Sequence, residues 1–353
     1  MTDGERTTAI GPGRVNLIGE HTDSSGGLVL PLAIDLATTV TGTRGGDEVV
    51  LVSPTEEHPA VVPLDVVDPA SMVPAWARYV AGVVAQLRPT EGFVGEVSTT
   101  LPIGAGLSSS AALEVAVALA LGFEGSAVDL ARLTQLAEHQ ASGVPCGIMD
   151  QLASAAGVAG HALLIDCHEL TVTPIALPDD VEVRVVHSGQ ERQLAGSAYA
   201  ERTAAVAAAE EELGPLRLLR DPAAADALAD PILRRRARHV ISENERVRAV
   251  AAALPAGDLA TVGEALAASH ASLRDDFEVS TPVLDALVDR LAATTGVIGV
   301  RLTGAGFGGC VGVHRPPATQ GGQQYPGNPR RQAPDDTPEV VGRQPVDQHR
   351  RGQ

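Results

Sequence analysis

The sequence predicts a fold that mixes helices and strands in two domains. Three observations point there. The chain has 353 residues, a length suited to about two hydrophobic cores. Its first half alternates short β-branched runs with stretches of helical periodicity. After about residue 160 the texture changes to alanine- and arginine-rich helices bracketed by a few apolar strands.

The elements follow in order. Residues 28–41 (LVLPLAIDLATTVT) are apolar and β-branched and predict a buried strand, and 47–53 and 93–99 predict two more. Residues 76–88 have helical apolar spacing that stops at Pro89. Residues 108–121 open on serines, continue in strong helix formers and end before Gly122. A helix over 126–142 starts with Ser126 and Asp129 at capping-box spacing. HALLIDC and VEVRVVHS predict strands. Residues 197–213, 223–253 and 258–273 predict helices with few special residues, and the run Arg234, Arg235, Arg236 reads as a solvated face. Residues 296–314 predict strand, glycine loop, strand.

Composition removes several function classes. With 26 basic and 44 acidic residues the net charge is −18, which argues against nucleic acid or an anionic membrane as partner. All 26 basic residues are arginine. The absence of lysine excludes a Walker lysine, the protein-kinase strand lysine, a pyridoxal Schiff base and Ser-x-x-Lys acyl chemistry. Cys146, Cys167 and Cys310 are widely spaced, which suits a reducing compartment, and a cytoplasmic protein is expected. The N-terminus has no apolar core of a signal peptide, and no apolar run reaches membrane-spanning length.

Four constellations carry candidate chemistry. In GRVNLIGEHTDSSGG, Arg14, Glu20, His21 and Asp23 surround a short apolar stretch, a set suited to a polyhydroxy ligand or, at Arg14, a phosphate; an ordinary charged turn is the competing explanation. In LPIGAGLSSSAALEVA, glycines followed by serines at a helix start suit an anion, although serine-capped glycine turns are common. In AEHQASGVPCGIMDQ, Glu138 and Asp150 flank a Gly/Pro loop and suit a metal ion and a base, with a helix N-cap the plainer role for Asp150 and a small apolar filler the plainer role for Cys146. GAGFGG (304–309) fits GxGxxG, but a strand follows it where a dinucleotide fold needs a helix.

Together and in this order, GRVNLIGEHTD, PIGAGLSSSAALEVA, GVPCGIMDQ and RLTGAGFGGC resemble the galactokinase family of the GHMP small-molecule kinases, over about residues 10–314. The resemblance implies an α+β, GHMP-kinase-like two-domain fold with the active site in the interdomain cleft: residues 1–165 as N-terminal domain and 166–314 as an incomplete C-terminal domain. It implies ATP and Mg2+ as cofactors, galactose and ATP as small-molecule partners, and a monomer. It implies Asp150 as base facing the anomeric hydroxyl, with Arg14 beside it stabilising the transferred phosphoryl group. Glu20, His21, Thr22, Asp23 and Tyr199 would bind the sugar. Gly104, Ala105, Gly106, Leu107, Ser108, Ser109 and Ser110 would wrap the nucleotide phosphates, and Ser110 and Glu138 would hold magnesium. The family usually has Tyr-Asn after HTD, where this chain has Ser24 and Ser25, which bears on sugar packing. An N-acetylgalactosamine kinase and an inactive sugar sensor are the alternatives.

The stretch 315–353 is different material. It holds seven Pro, seven Gln and five Gly, with no Leu, Ile or Phe, and reads as disordered or as the product of a frameshift near codon 315. PEVVGRQPVDQ within it faintly resembles the family's closing strand. If the tail is as it reads, the strand at 310–314 is expected to become an exposed edge.

Overall fold

The computed structural model describes residues 6–102, 104–190, 195–308, 310–315 and 340–343. The first half contains β1 (Arg6–Asn16), β2 (Leu28–Val29), β3 (Pro31–Arg44), β4 (Glu48–Val52), β5 (Ala60–Pro63), α1 (Ala77–Leu87), β6 (Phe93–Thr99), α2 (Ser109–Ala120), α3 (Ala127–Ser142), α4 (Met149–Ala156) and β7 (His161–Asp166). The second contains β8 (Thr171–Ala176), β9 (Glu182–His187), α5 (Ala195–Leu213), α6 (Pro231–Ala256), α7 (Leu259–Asp275), α8 (Pro282–Ala292), β10 (Gly299–Thr303), β11 (Cys310–Arg315) and β12 (Val340–Arg343).

Three sheets organise these elements. The largest has the order β1-β3-β6-β4-β5, antiparallel except for the parallel pair β4 and β6. The second has the order β10-β11-β9-β12, and the third β2-β7-β8. The expected boundary at residue 165 falls inside β7, which pairs with β2. One apolar cluster draws Val15, Leu17, Leu30 and Leu107 together with Val183, Val185, Val247 and Leu266, so both halves share a core around the end of β1.

Most predicted elements are present within a residue or two, and the capping box of α3 forms as read, with Ser126 accepting from the Asp129 N–H. The differences have local causes. β1 is broken in sequence by Gly11-Pro12-Gly13, because α2 crosses it: a Cβ on Gly11 would lie 2.0 Å from the Ala112 carbonyl oxygen. The β1–β3 register shifts between Pro12 and Arg14, a bulge of the kind that re-aims a side chain. β8 contains Pro174, which an edge strand tolerates. The run Arg234–Arg236 is not a solvated face: Arg236 is buried against the Phe277 ring and hydrogen-bonds the Asp276 carbonyl and Glu278, while Arg234 donates to the Leu228 carbonyl.

Where it is described, the tail follows the faint likeness of PEVVGRQPVDQ to a closing strand and departs from the expectation of disorder. Val340–Arg343 pairs antiparallel with β9, so this segment is a strand. β11 lies between β10 and β9 and is an interior strand, not an exposed edge. Residues 316–339 and 344–353, the rest of the expected disordered tail, lie outside the described residues.

The Gly11 approach makes a quantitative test. Gly11→Ala gains about 0.4–1 kcal/mol by restricting the unfolded chain, but overpacking a backbone contact costs about 1–3 kcal/mol. The variant is expected to be less stable, read as a lower urea midpoint at unchanged slope.

Candidate active site

Arg14 and Asp150 meet although they are 136 residues apart in the chain. Asp150 stands in the first turn of α4, after Ile148, which occupies the cap position, so the N-cap role for Asp150 is not what the fold uses. Arg14, just past the bulge in β1, is 5 % exposed. Its Nε donates to Asp150 Oδ1 at 2.8 Å, its Nη2 lies 2.6 Å from the same oxygen, and its Nη1 donates to the Gly106 carbonyl at 2.7 Å. One guanidinium thus ties the aspartate to the glycine–serine loop.

That loop is built for close approach. Gly104 and Gly106 have φ of 77° and 84°, and Ser108 is left-handed at 59°. Ser108 occupies the cap of α2, yet its hydroxyl donates to Asp150 Oδ2 at 2.5 Å and caps nothing. The first N–H groups of α2 therefore have no side-chain acceptor there, the arrangement that receives an anion. Ala105 and Leu107 are buried and anchor the loop, and Ser109 and Ser110 begin the helix. Ser110 Oγ donates to Glu138 Oε1 at 2.7 Å, and Gln151 Nε2 donates to Glu138 Oε2 at 2.6 Å.

Carboxylates crowd this recess. Burial, aided by Asp150, raises Asp23 to about 6 against the pull of Arg14. Burial raises Glu138 to about 7, opposed by the Ser110 hydrogen bond. Glu114, fully buried one turn along α2, is also raised well above its ordinary range by burial and by Glu138, against the opposing pull of Gln151. Burial and the same acids push the Cys146 thiol up, which makes it a packing group and a poor nucleophile. Its carbonyl meets Gln135 and His139 of α3, which fix the GVPCG loop.

The sugar-motif residues separate into two groups. His21 has φ of 64°, stacks on Phe277 at 4.5 Å between ring centres and lies 5.8 Å from the ring of Tyr199. Tyr199, on α5, is raised by burial and then by Asp23, Cys146 and Asp150, which puts it beside the same acids. Asp23 packs over Gly147, where a Cβ would lie 2.0 Å from Oδ2. His21, Asp23 and Tyr199 therefore gather near Asp150. Thr22 does not: it is fully buried, with its hydroxyl 2.9 Å from the Gly19 carbonyl and 2.6 Å from that of Leu28, holding the turn. Glu20 is likewise turned away. Asn16 Nδ2 donates to its Oε2, Arg301 pairs with the same oxygen, and Gly304 N–H and Thr303 hydroxyl donate to Oε1.

Several positioning residues escaped the sequence reading. Arg301 is fully buried on β10 and also donates to the Asn16 and Leu17 carbonyls. On α6, read as an unremarkable helix, Glu243 accepts from Gly19 N–H, His239 Nε2 donates to the Glu20 carbonyl, and Asn244 Oδ1 accepts from Leu28 N–H. The one legible signal was a lone arginine inside the apolar run VIGVRLT.

Comparison with known proteins places this geometry. The chain matches the galactokinase galactose-binding signature over residues 3–44, the GHMP kinases N terminal domain over 78–158 and the GHMP kinases C terminal region over 250–313. It is 47 % identical to a galactokinase of Roseiflexus sp. (strain RS-1), across 85 % of this chain and 81 % of that one. The chain belongs to the galactokinase family. To the human galactokinase the identity is 42 %, with the same two coverages. The fold superposes on the crystal structure of Lactococcus lactis galactokinase complexed with galactose with a TM-score of 0.83 at 33 % identity, across 88 % of this chain and 86 % of that one. The mixed α+β fold and the kinase class follow for this galactokinase-family chain, and GHMP kinases are ATP-using enzymes.

Magnesium is implied by kinase chemistry, and the donor set can be tested against it. Ser110 and Glu138 offer hard oxygens 2.7 Å apart, beside a helix start. Mg2+ is commonly held by one or two carboxylates with substrate phosphates and water supplying the rest. The pair fits that mode. Among the described residues no cluster of three His, Cys, Asp or Glu stands ready to hold a metal without substrate.

Two expected outcomes follow. Glu138 holds its proton to about pH 7 in the folded chain and to about 4.5 in the unfolded one, so the folded state binds more protons between these values and stability falls as pH rises through them. In magnesium-free buffer, Glu138→Gln is expected to lose part of that fall, measured as urea midpoints from pH 5 to 7.5. Arg301→Met leaves the Glu20 carboxylate buried without its cation, an effect of about 3–5 kcal/mol. Adding Glu20→Gln to Arg301→Met is expected to recover part of the loss, and additive losses in the double-mutant cycle would contradict the pairing.

Proposed function

We propose that this chain transfers the γ-phosphoryl group of ATP to the anomeric hydroxyl of D-galactose, yielding α-D-galactose 1-phosphate and ADP. The observation that carries the reading is Asp150, held from one side by Arg14 and from the other by Ser108, where the phosphate loop, the sugar motif and α5 converge. Family membership supports the substrate class.

The geometry supports a division of labour. Phosphoryl transfer depends on positioning and charge neutralisation more than on covalent chemistry. Arg14 and Ser108 use part of the acceptor capacity of Asp150, which is 30 % exposed and retains lone pairs for a sugar hydroxyl. On this reading Asp150 orients the anomeric hydroxyl toward the γ-phosphorus and receives its proton. Asp23, His21 and Tyr199 bind the ring hydroxyls. The Gly104–Ser110 loop and the start of α2 take the phosphates, and Arg14 offsets the charge that develops on the transferred group. Ser110 and Glu138 would hold Mg2+, which supplies charge neutralisation across the phosphates. The setting that accompanies this reading is a cytoplasmic monomer, with the three spaced cysteines in support.

The test is ADP release by the purified chain with magnesium and ATP, with and without galactose. Galactose-dependent ADP together with galactose 1-phosphate is expected. Asp150→Asn is expected to keep galactose affinity within a few-fold and to lose about a hundredfold or more in kcat, the usual range for a general base. Near-normal kcat in that variant would reject the role given to Asp150. Turnover of N-acetylgalactosamine in preference to galactose would reassign the substrate.

A further inference from the structure

A recess of about 220 Å3 lies between the Gly26–Gly27 turn, the short 3-10 turn Leu216–Leu218 and α6, and none of the residues around Asp150 lines it. Three arginines line it: Arg217, Arg220 and Arg248. Asp166 is the acid in its wall, and Glu245 beside it contacts Arg220 at 3.0 Å and Arg248 at 2.8 Å through a single oxygen. Arg217 is half-buried with its stem against Gly26; it pulls electrostatically on the Glu210 carboxyl, while among the described residues no hydrogen bond or close ion pair holds its guanidinium.

This convergence is unusual for the chain. On a protein with a net charge of −18, three arginines line one concavity beside the carboxylates of Asp166, Glu245 and Glu210, and Glu245 is stretched across two of the guanidiniums. Burial first, and then the neighbouring Arg220, weakens the hold of Arg248 on its proton, against the pull of Glu245 and Asp166. Guanidinium forks present paired N–H donors to oxyanions. Three of them entering from a turn, a loop and a helix suit the several oxygens of a tetrahedral phosphate better than a single planar carboxylate.

The wall of the recess is shared with the sugar loop. Gly26 N–H donates to the Asp23 carbonyl at 3.1 Å and Gly27 N–H to the Thr22 carbonyl at 2.8 Å. Asn244, which also lines the recess, fixes Leu28 N–H at 2.7 Å. An occupant bridging Arg217 and Arg248 would therefore restrain the turn that carries Asp23.

We propose that this recess binds a small phosphate-bearing anion and that its occupancy changes the affinity of the neighbouring loop for sugar. The second clause rests on the sugar role given to Asp23; the first does not. The test is calorimetric titration of the full chain with glycerol 1-phosphate and, separately, with inorganic phosphate, while magnesium and ADP fill the nucleotide loop. One binding event is expected, at least tenfold weaker in Arg217→Gln and in Arg248→Gln, intermediate in Arg217→Lys, which keeps the charge without the fork, and unchanged in Arg132→Gln on the exposed face of α3. Tighter binding of the ester assigns the site to phosphate monoesters, and equal binding assigns it to free phosphate; both support it. Absence of binding, equal affinity in Arg217→Gln, or binding of citrate with none of phosphate overturns the proposal. The coupling is read as at least a threefold change in galactose KM at saturating ester, lost in Arg217→Gln. An unchanged KM overturns the coupling, and a chain inactive on galactose leaves the binding result to decide the site on its own.

Discussion

The placement of the sugar loop depends on one buried carboxylate. Glu20 sits with almost no exposure between the end of β1 and the end of β10, accepting from Asn16, Thr303 and the Gly304 backbone while paired with Arg301. Burying an ionised carboxylate is costly unless its lone pairs are used, and here protein donors occupy both oxygens. Its pKa is nevertheless raised, because desolvation outweighs the stabilising pull of Arg301. The loop can therefore take this position only when the second half of the chain is folded against it. Glu243 and His239 repeat the arrangement on the backbone on either side. The residue that looks most like a ligand group in the motif instead fixes the place of its neighbours His21 and Asp23.

Beyond it lies an acid-rich enclosure, with Asp23, Glu138 and Asp150 gathered around Arg14. Arg14 contacts Asp150 and the loop carbonyl of Gly106 at once, so the position of the glycine–serine loop and that of the aspartate are one geometric fact. Burial first, and then neighbouring carboxylates, raises Asp23, Glu114 and Glu138. An enclosure of this kind favours cations and penalises bare anions.

Much of this was legible in the residues. The helix starts at Ser108 and Ser126, the strand at 93–99 and the motif order all follow from capping, periodicity and resemblance. Arg14 contacts Asp150, and Ser110 contacts Glu138. What was not legible depends on distance along the chain. Ser108 looks like a helix cap because nothing local shows that Asp150, 42 residues later, takes its hydroxyl. Glu20 and Thr22 look like ligand groups because their partners lie on β10 and within a compact turn. Glu243 and Asn244 resemble any polar pair on an exposed helix until the loop they grip is folded over them. The strand at 340–343 was hinted at by the likeness of PEVVGRQPVDQ to a closing strand, although the composition around it argues against structure, and β9 supplies its pairing.

The span of the Glu20 contacts has a consequence for biogenesis. Asn16 and Glu20 wait for Arg301, Thr303 and Gly304, more than 280 residues downstream. At roughly 5–20 residues per second of synthesis, the ribosome needs on the order of 15 s to a minute to deliver them. Throughout that interval the nascent N-terminal half carries a solvated carboxylate and an unclosed apolar seam around Leu17 and Leu30. Contacts of such high order are also slow to nucleate. The first half of this chain is thus made early and completed late.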